Sequence, residues 1–474
     1  GNTIIILTAD HGEALGEKGE ETHSYFAYNN TIHVPLFIHI PGRKPATSDA
    51  NVCHADIFPT LCDALRLPIP SFLQGESLLA VLGAHGRRKN PEIYFESLTA
   101  YLNRDWAPLQ GMISGDTKFI DLPIKEVYDI AKDPGEERNL AGSSKIGQWK
   151  DSLNRLIKKL KNPQAASRQG RLDPEVQKRL RSLGYVSESG PQQRKKQYTE
   201  KDDLKTLLPL QSKLLTSVTI FQGGDFPAAE RKLREVIAAS PSFILAYSHL
   251  SSMYMEMGKP AQAAAVLDQG LEKNPGDIRL LSKLGIVLAD SGEWRRAVPI
   301  LELCTQKENF DPEHFNYLGI AHYQGGNFKK ALESYARALE LDRNNASVLN
   351  NIGSVHLRLF LQGGGSESFV QAESHFKKAL EIDPRLFAAW NGLAAAYKKV
   401  RRNAEAISCW QKALEIKPDY DLALVNLGIT LLEEGRSREA LESFLKYREK
   451  HYQRLPPGEQ QRIERLIAEA RSRL

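Results

Sequence analysis

The chain has 474 residues, 41% hydrophobic and 26% charged, which are the proportions of a folded soluble protein and too many residues for one ordinary core. A net charge of only +5 argues against a dedicated nucleic-acid binder, which carries a strong basic bias. No apolar run reaches the length of a membrane span, and Cys53, Cys62, Cys304 and Cys409 show neither metal-ligand spacing nor a disulfide framework, so they read as small buried hydrophobes.

The chain starts Gly-Asn-Thr-Ile-Ile-Ile-Leu, without an initiator Met or a signal-peptide pattern, and reads as the C-terminal part of a longer protein. Thr3–Thr8 is a β-branched run that ends at Asp10-His11-Gly12. His33–Ile40 is a second such run, stopped by Pro41-Gly42, and Ala55–Leu65 has helical spacing with Asp56 as its N-terminal cap. Glu92–Glu96 reads as a strand. Leu109–Ser114 and Thr117–Asp121 flank the turn Gly115-Asp116, and Glu126–Ile130 adds a further strand. Ser144–Leu160 is an amphipathic basic helix and Asp173–Leu183 is another. Together these predict an α/β piece with a small antiparallel sheet over residues 1–185. Residues 186–203 are polar and read as a linker, with Arg194-Lys195-Lys196 as a solvated charge run.

From residue 204 to 455 the sequence repeats. One copy carries Trp390, Leu393, Ala394, Tyr397, Ala406, Trp410 and Pro418. Others carry Leu427, Gly428, Ala440 and Phe444, then Leu318, Gly319, Ala331 and Tyr335, then Ile352, Gly353, Ala372 and Phe376. Units start near Leu210, Ile244, Ile278, Pro312, Ala346, Phe387 and Asp421. The step is 34 residues except for one of 41, in the unit holding LQGGGSES. This pattern resembles the tetratricopeptide (TPR) repeat, which implies an all-α superhelical solenoid of about seven helix pairs. Each pair needs small residues where its helices cross and large ones between them, and no pair buries its apolar face alone. The Gly-rich tract reads as an enlarged turn that takes up the seven extra residues. Residues 456–474 read as a capping helix. Trp390 and Trp410 read as core residues, and His314, His322 and His356 as ordinary helix residues.

Chemistry is concentrated in the first piece. A carboxylate beside an imidazole at a strand end can grip one metal ion from two sides, although an isolated Asp-His pair is equally a turn cap and a surface His. The blocks TADHGEALGEKGEETH, HVPLFIHIPG, HADIFPTLCDALRLP, QGESLL and EVYDIAKDPGEERNL, in that order, resemble the C-terminal half of a sulfatase of the alkaline phosphatase superfamily. LRSLGYV resembles the tail found where such a domain precedes repeats. The resemblance implies an α/β hydrolase of sulfuric esters that uses a divalent cation, usually calcium, with zinc or manganese as alternatives. It places Asp10 and His11 as metal ligands and His23 where classical sulfatases carry a sulfate-contacting Lys. That replacement also occurs in phosphoethanolamine-transferase relatives, so a sulfate or a phosphate ester fits. Lys18 stands where the family frequently has His.

The family's nucleophile is a formylglycine made from Cys or Ser in C/S-x-P-x-R, and no such motif occurs in this sequence. The nucleophile is therefore expected upstream, and this chain alone is expected to be inactive. The competing readings are a TPR scaffold with a vestigial catalytic domain and a phosphotransferase of the same superfamily. The resemblance further implies a periplasmic or extracellular location. In the repeats, Asn316, Asn350 and Asn391 fall on equivalent groove positions, with Tyr323 beside them. An amide offers a donor and an acceptor to an extended backbone, so the expected partner is a weakly charged, extended polypeptide.

Overall fold

The computed structural model describes residues 2–81, 91–161 and 197–474. The expected helix Asp173–Leu183, the LRSLGYV tail and the Arg194-Lys195-Lys196 run lie outside the described residues. Contacts gather into two units, Gly1–Lys232 and Leu233–Leu474.

In the first unit, β1 (Ile5–Thr8) pairs antiparallel with β2 (Leu36–His39), Ile5 opposite His39 and Thr8 opposite Leu36. Between them lie the loop of residues 9–28 and a single helical turn, α1 (Asn29–Ile32). Further along come α2 (Ile57–Ala64), β3 (Glu92–Ser97) and α3 (Thr99–Arg104). A four-stranded antiparallel sheet runs in the order β3, β4 (Leu109–Ser114), β5 (Thr117–Asp121), β6 (Glu126–Asp129). The turn Gly115-Asp116 closes the β4–β5 hairpin, with Gly115 at φ 57°, a backbone angle that glycine adopts without a Cβ penalty. α4 (Ile146–Leu160) follows. It buries Leu153 and Leu156 against Met112, Phe119 and Val127 of the sheet.

The end of the expected linker is ordered. Thr199 and Asp202 form a reciprocal cap, and Asp203, fully buried, caps α5 (Leu204–Gln222) through the Lys205 N–H. Asp203 also accepts from the Ile124 N–H at 2.7 Å. Lys205 reaches Glu126 at 3.2 Å and the Ile124 carbonyl at 3.0 Å. This first repeat helix therefore belongs to the first unit by its contacts.

Helices then alternate in pairs: α6 (Phe226–Ala239), α7 (Ile244–Glu256), α8 (Pro260–Lys273), α9 (Ile278–Asp290), α10 (Trp294–Lys307), α11 (Pro312–Gln324), α12 (Phe328–Leu341), α13 (Ala346–Leu361), α14 (Ser366–Ile382), α15 (Phe387–Lys399), α16 (Asn403–Ile416), α17 (Asp421–Glu433) and α18 (Ser437–His451), closed by α19 (Pro457–Ser472). The result is the helical solenoid that the repeat period dictates. The small-against-large rule is visible where a glycine faces the partner helix. A Cβ on Gly319 would lie 2.5 Å from the Tyr335 ring, and one on Gly428 would lie 2.5 Å from Phe444. α19 closes the array by burying Ile463, Ile467 and Ala470.

Two expectations need correction. The seven extra residues of the long unit are not an enlarged turn. α13 and α14 have 16 and 17 residues, against 13 and 14 in α9 and α10. The insertion thus lengthens both helices by nearly a turn, and Phe360 meets Phe369 at 5.6 Å across the extension. Helix propensity on either side of the glycines wins because the added apolar residues pair with each other. The two tryptophans also differ. Trp410 is 1% exposed and donates its indole N–H to Asn391 Oδ1 at 3.1 Å. Trp390 is only half-buried, its N–H on the Pro384 carbonyl at 2.9 Å. Trp410→Ala is expected to destabilise the array by about 3–5 kcal/mol, the usual cost of deleting a buried aromatic, and Trp390→Ala by clearly less. Equal losses in denaturant unfolding followed by far-UV circular dichroism would contradict this assignment.

Candidate active site

Directly after β1 the chain turns sharply, and the turn is backbone-locked. The Gly12 N–H donates to the Thr31 carbonyl at 2.8 Å. Any Cβ at residue 12 would sit 2.1 Å from the Asn30 oxygen, so the glycine is required by close approach. His54 clamps the strand end from the other side, its Nε2 2.8 Å from the Ala9 carbonyl. Asp10 and His11 are thereby held at a fixed strand end.

The Asp10 carboxylate is exposed, and its Oδ1 accepts the His11 N–H at 3.0 Å. That backbone hydrogen bond, with the neighbouring imidazole, lowers the Asp10 pKa and keeps it ionised. His11 Nδ1 lies 2.9 Å from the Gly12 carbonyl, a contact in which Nδ1–H donates and which leaves Nε2 pointing elsewhere as the nitrogen available to a metal. Nε2 stands 3.6 Å from Asp10 Oδ2. A carboxylate oxygen and an imidazole lone pair at that spacing can share one cation.

His23 stacks on His11 with ring centroids 3.9 Å apart. Its Nδ1 lies 3.2 Å from Glu13 Oε2. The structure thus brings Asp10, His11 and His23 together and adds Glu13, which sequence reasoning did not single out. The Glu13–His23 pair is half-exposed and serves orientation more than stability. Among the described residues, the one place where three or more ligand atoms converge lies elsewhere, in the repeats. A hard cation such as calcium wants six to eight oxygens, so Asp10 and His11 fit a metal as a partial set.

The loop that carries His23 is fastened from beneath by groups the sequence did not reveal. Glu20, 2% exposed, accepts the N–H groups of Tyr25 at 2.7 Å and Phe26 at 3.0 Å. Burial raises its pKa against those two hydrogen bonds. Glu136 accepts the Asn29 N–H at 2.6 Å and pairs with Lys118 at 2.6 Å, both side chains at most 1% exposed. Burial lowers the Lys118 pKa while Glu136 and Glu126 raise it. Burial and Glu126 raise the Tyr28 and Tyr128 pKa values, and both hydroxyls donate to Glu126. Lys18 joins the same loop by donating to the Glu136 carbonyl at 2.8 Å. Asp56, expected as a simple cap, is fully buried and accepts from Cys53 at 2.9 Å and Glu76 at 2.9 Å, which ties the HADIFPT block to QGESLL.

Residues 1–67 match the family model of sulfatases, and tetratricopeptide repeat models match residues 221–285, 254–318, 319–359 and 385–450. The chain joins a sulfatase-family segment to a TPR array. A delta 4,5-hexuronate-2-O-sulfatase of Bacteroides thetaiotaomicron is 28% identical over 201 residues, covering 40% of this chain and 41% of the relative. Arylsulfatase K of Homo sapiens is 38% identical over 152 residues, covering 29% and 28%. The chain therefore spans less than half the length of these sulfatases. A tetratricopeptide repeat protein from Parabacteroides merdae aligns over 55% of this chain and 98% of its own, with 17% identity and a TM-score of 0.45.

In the TPR array the three asparagines are not equivalent. Asn316 Oδ1 accepts from Asn351 at 2.9 Å, and Asn350 donates to Asn351 at 3.4 Å. Asn391 Oδ1 is committed to the buried Trp410. The half-buried Tyr323 tilts against Phe328 at 5.8 Å and packs on the cluster around Tyr335 and Ile352. TPR arrays serve protein–protein interaction, and no helix among the described residues is long and apolar enough to cross a membrane.

Lys118→Met is expected to cost about 3–5 kcal/mol, because Glu136 would keep a buried charge without its partner. Lys118→Arg, which retains the charge, should cost less. Thermal unfolding of the two variants checks this, and a harmless Lys118→Met would show that Glu136 relies on its backbone partner alone.

Proposed function

We propose that this chain supplies the metal-binding side of a sulfatase-type hydrolase of sulfuric esters, and that its repeats dock an extended polypeptide. The observation that carries the reading is the Asp10–His11–His23 cluster at the end of β1, inside the segment that matches the sulfatase family. Asp10 Oδ2 and His11 Nε2 would hold a divalent cation, calcium before zinc or manganese, which when bound polarises the ester oxygens. His11 is oriented for that task by the Gly12 carbonyl. His23, with Glu13 on Nδ1, would present Nε2 to the ester and, when protonated, donate a hydrogen bond to a sulfate oxygen.

The remaining ligands and the formylglycine nucleophile come, in this reading, from a segment carrying C/S-x-P-x-R, and this chain alone does not turn over. Apolar side chains support that view. Ile5, Leu7 and Phe37 are 58%, 61% and 64% exposed on the paired strands β1 and β2, a face that a complete α/β domain would cover. In the repeats, Asn316 and Asn350 would contact the polypeptide, while Asn391 also supports Trp410.

With the nucleophile-bearing segment present, hydrolysis of an aryl sulfate monoester is expected, and Asp10→Ala should remove turnover and metal uptake together. Hydrolysis of an aryl phosphate instead would move the reading to the phosphotransferases. Turnover of neither, with peptide binding intact, would leave a scaffold. Asn316→Ala should weaken peptide binding without lowering stability, whereas Asn391→Ala should also lower the unfolding temperature, since it leaves the buried Trp410 N–H unpaired.

A further inference from the structure

The TPR array contains a polar residue where its own repeat pattern calls for an apolar one. His314 stands at the second inward position of α11. The corresponding residues of the other five units from α7 onward are Ala246, Leu280, Val348, Ala389 and Ala423, each 0% exposed. His314 is buried to the same degree, at 2% exposed. A buried imidazole costs free energy unless both ring nitrogens are satisfied. Nε2 is satisfied, lying 2.7 Å from Ser282 Oγ of α9. Nδ1 has no hydrogen-bond partner.

Two carboxylates flank the ring, one near each nitrogen. Glu308, 8% exposed, brings Oε2 to 3.9 Å from Nδ1, and Asp311 Oδ2 lies 3.9 Å from the ring's Nε2. One ligand atom from each of the three residues falls within 4.8 Å of the others, the one such group among the described residues. Asp311 spends Oδ1 on capping α11 through the Glu313 N–H at 2.9 Å, so its second oxygen is the free one. The backbone carbonyl of Glu308 faces the same ring.

We propose that Glu308, Asp311 and His314 form a site for a zinc-class divalent cation inside the repeat array, bound through His314 Nδ1 and one oxygen of each carboxylate. With Nε2–H donating to Ser282, Nδ1 would carry the lone pair, the outer-shell arrangement that metal-bound histidines use. Tetrahedral zinc ligands lie about 3.3 Å apart, so the donors close by small side-chain movements. An imidazole with two carboxylates suits zinc or manganese better than calcium, which prefers more oxygens. The spacing E-x-x-D-x-x-H puts all three ligands in one connection, between the end of α10 and the start of α11. The ion would staple that connection and, through Ser282, the preceding pair.

The test is zinc titration of the full chain in an Asp10→Ala/His11→Ala background, which removes the donors at the end of β1 and makes the result independent of the sulfatase reading. One equivalent of zinc is expected to bind by calorimetry and to raise the unfolding temperature. Cobalt(II) in its place should give the visible absorption of a tetrahedral nitrogen–oxygen site. Asp311→Asn keeps the helix cap, and His314→Leu restores the residue type of the other units, so both should fold. Asp311→Asn should weaken zinc at least about tenfold, the size of effect that even outer-shell changes produce, and His314→Leu should abolish binding and the cobalt spectrum. Absence of binding at millimolar zinc, or equal affinity in the background protein and His314→Leu, would overturn the proposal. So would a pH-dependent unfolding change in His314→Leu without any zinc effect, which would make His314 a protonated partner of the two carboxylates.

Discussion

The arrangement of the sulfatase segment depends on carboxylates that are spent on backbone N–H groups instead of on chemistry. A strand end followed by a long loop has many unpaired donors, and each one buried without a partner costs free energy. Glu20 takes two of them within the His23 loop, Glu136 takes Asn29, and Asp56 takes Cys53 and Glu76. These bonds give residues 20–31 and 53–78 their shape, and that shape sets His23 against His11. Removing water from a carboxylate is costly, and the site tolerates it because backbone dipoles and Lys118 replace the water.

This explains what was legible in the sequence and what was not. The hairpin of β4 and β5 was readable because Gly115-Asp116 sits between two alternating apolar runs. The helix pairs were readable because glycine recurs in register with Tyr335, Phe376 and Phe444. The Asp10–His11 pair stood out by its place after an apolar strand, but its expected metal role came only from the sulfatase resemblance of the blocks around it. Glu13 and Glu20 were not, since a run of acidic residues in a Gly-rich loop looks like solvated charge until a fold shows which one turns inward. Glu136 lay within a recognised block, but its partner Lys118 is distant in sequence, and a Lys within a hairpin strand carries no local sign of burial.

The repeats failed as a guide where side-chain identity mattered more than period. The 41-residue step predicted an insertion correctly but not its form. Three glycines suggest a turn, whereas Phe360 and Phe369 favour extra helix because their tilted rings pack against each other. Equivalence between Asn316, Asn350 and Asn391 holds for the backbone only. A position in a repeat fixes where a side chain emerges. What the side chain bonds to is fixed by its neighbours, which are Trp410 of the paired helix for Asn391 and Asn351 of α13 for the other two.

The first repeat helix, α5, stands apart from the others because its partners are not repeats. Its start is capped by the buried Asp203, which also takes the Ile124 N–H. Further along, Gln211 donates to the Tyr25 hydroxyl at 2.9 Å and accepts from Arg104, whose guanidinium lies over the Tyr25 and Trp106 rings. Arg104 is mostly desolvated, which lowers its pKa, and its charge is met by aromatic faces and an amide. Tyr25 is two residues from His23 and has its own N–H on Glu20. A displacement of α5 would therefore disturb Gln211, then Tyr25, then the Glu20 loop that supports the imidazole stack. The helix that begins the array is in this sense part of the sulfatase-family segment's packing, and the boundary between that segment and the TPR array runs through the repeats and not before them.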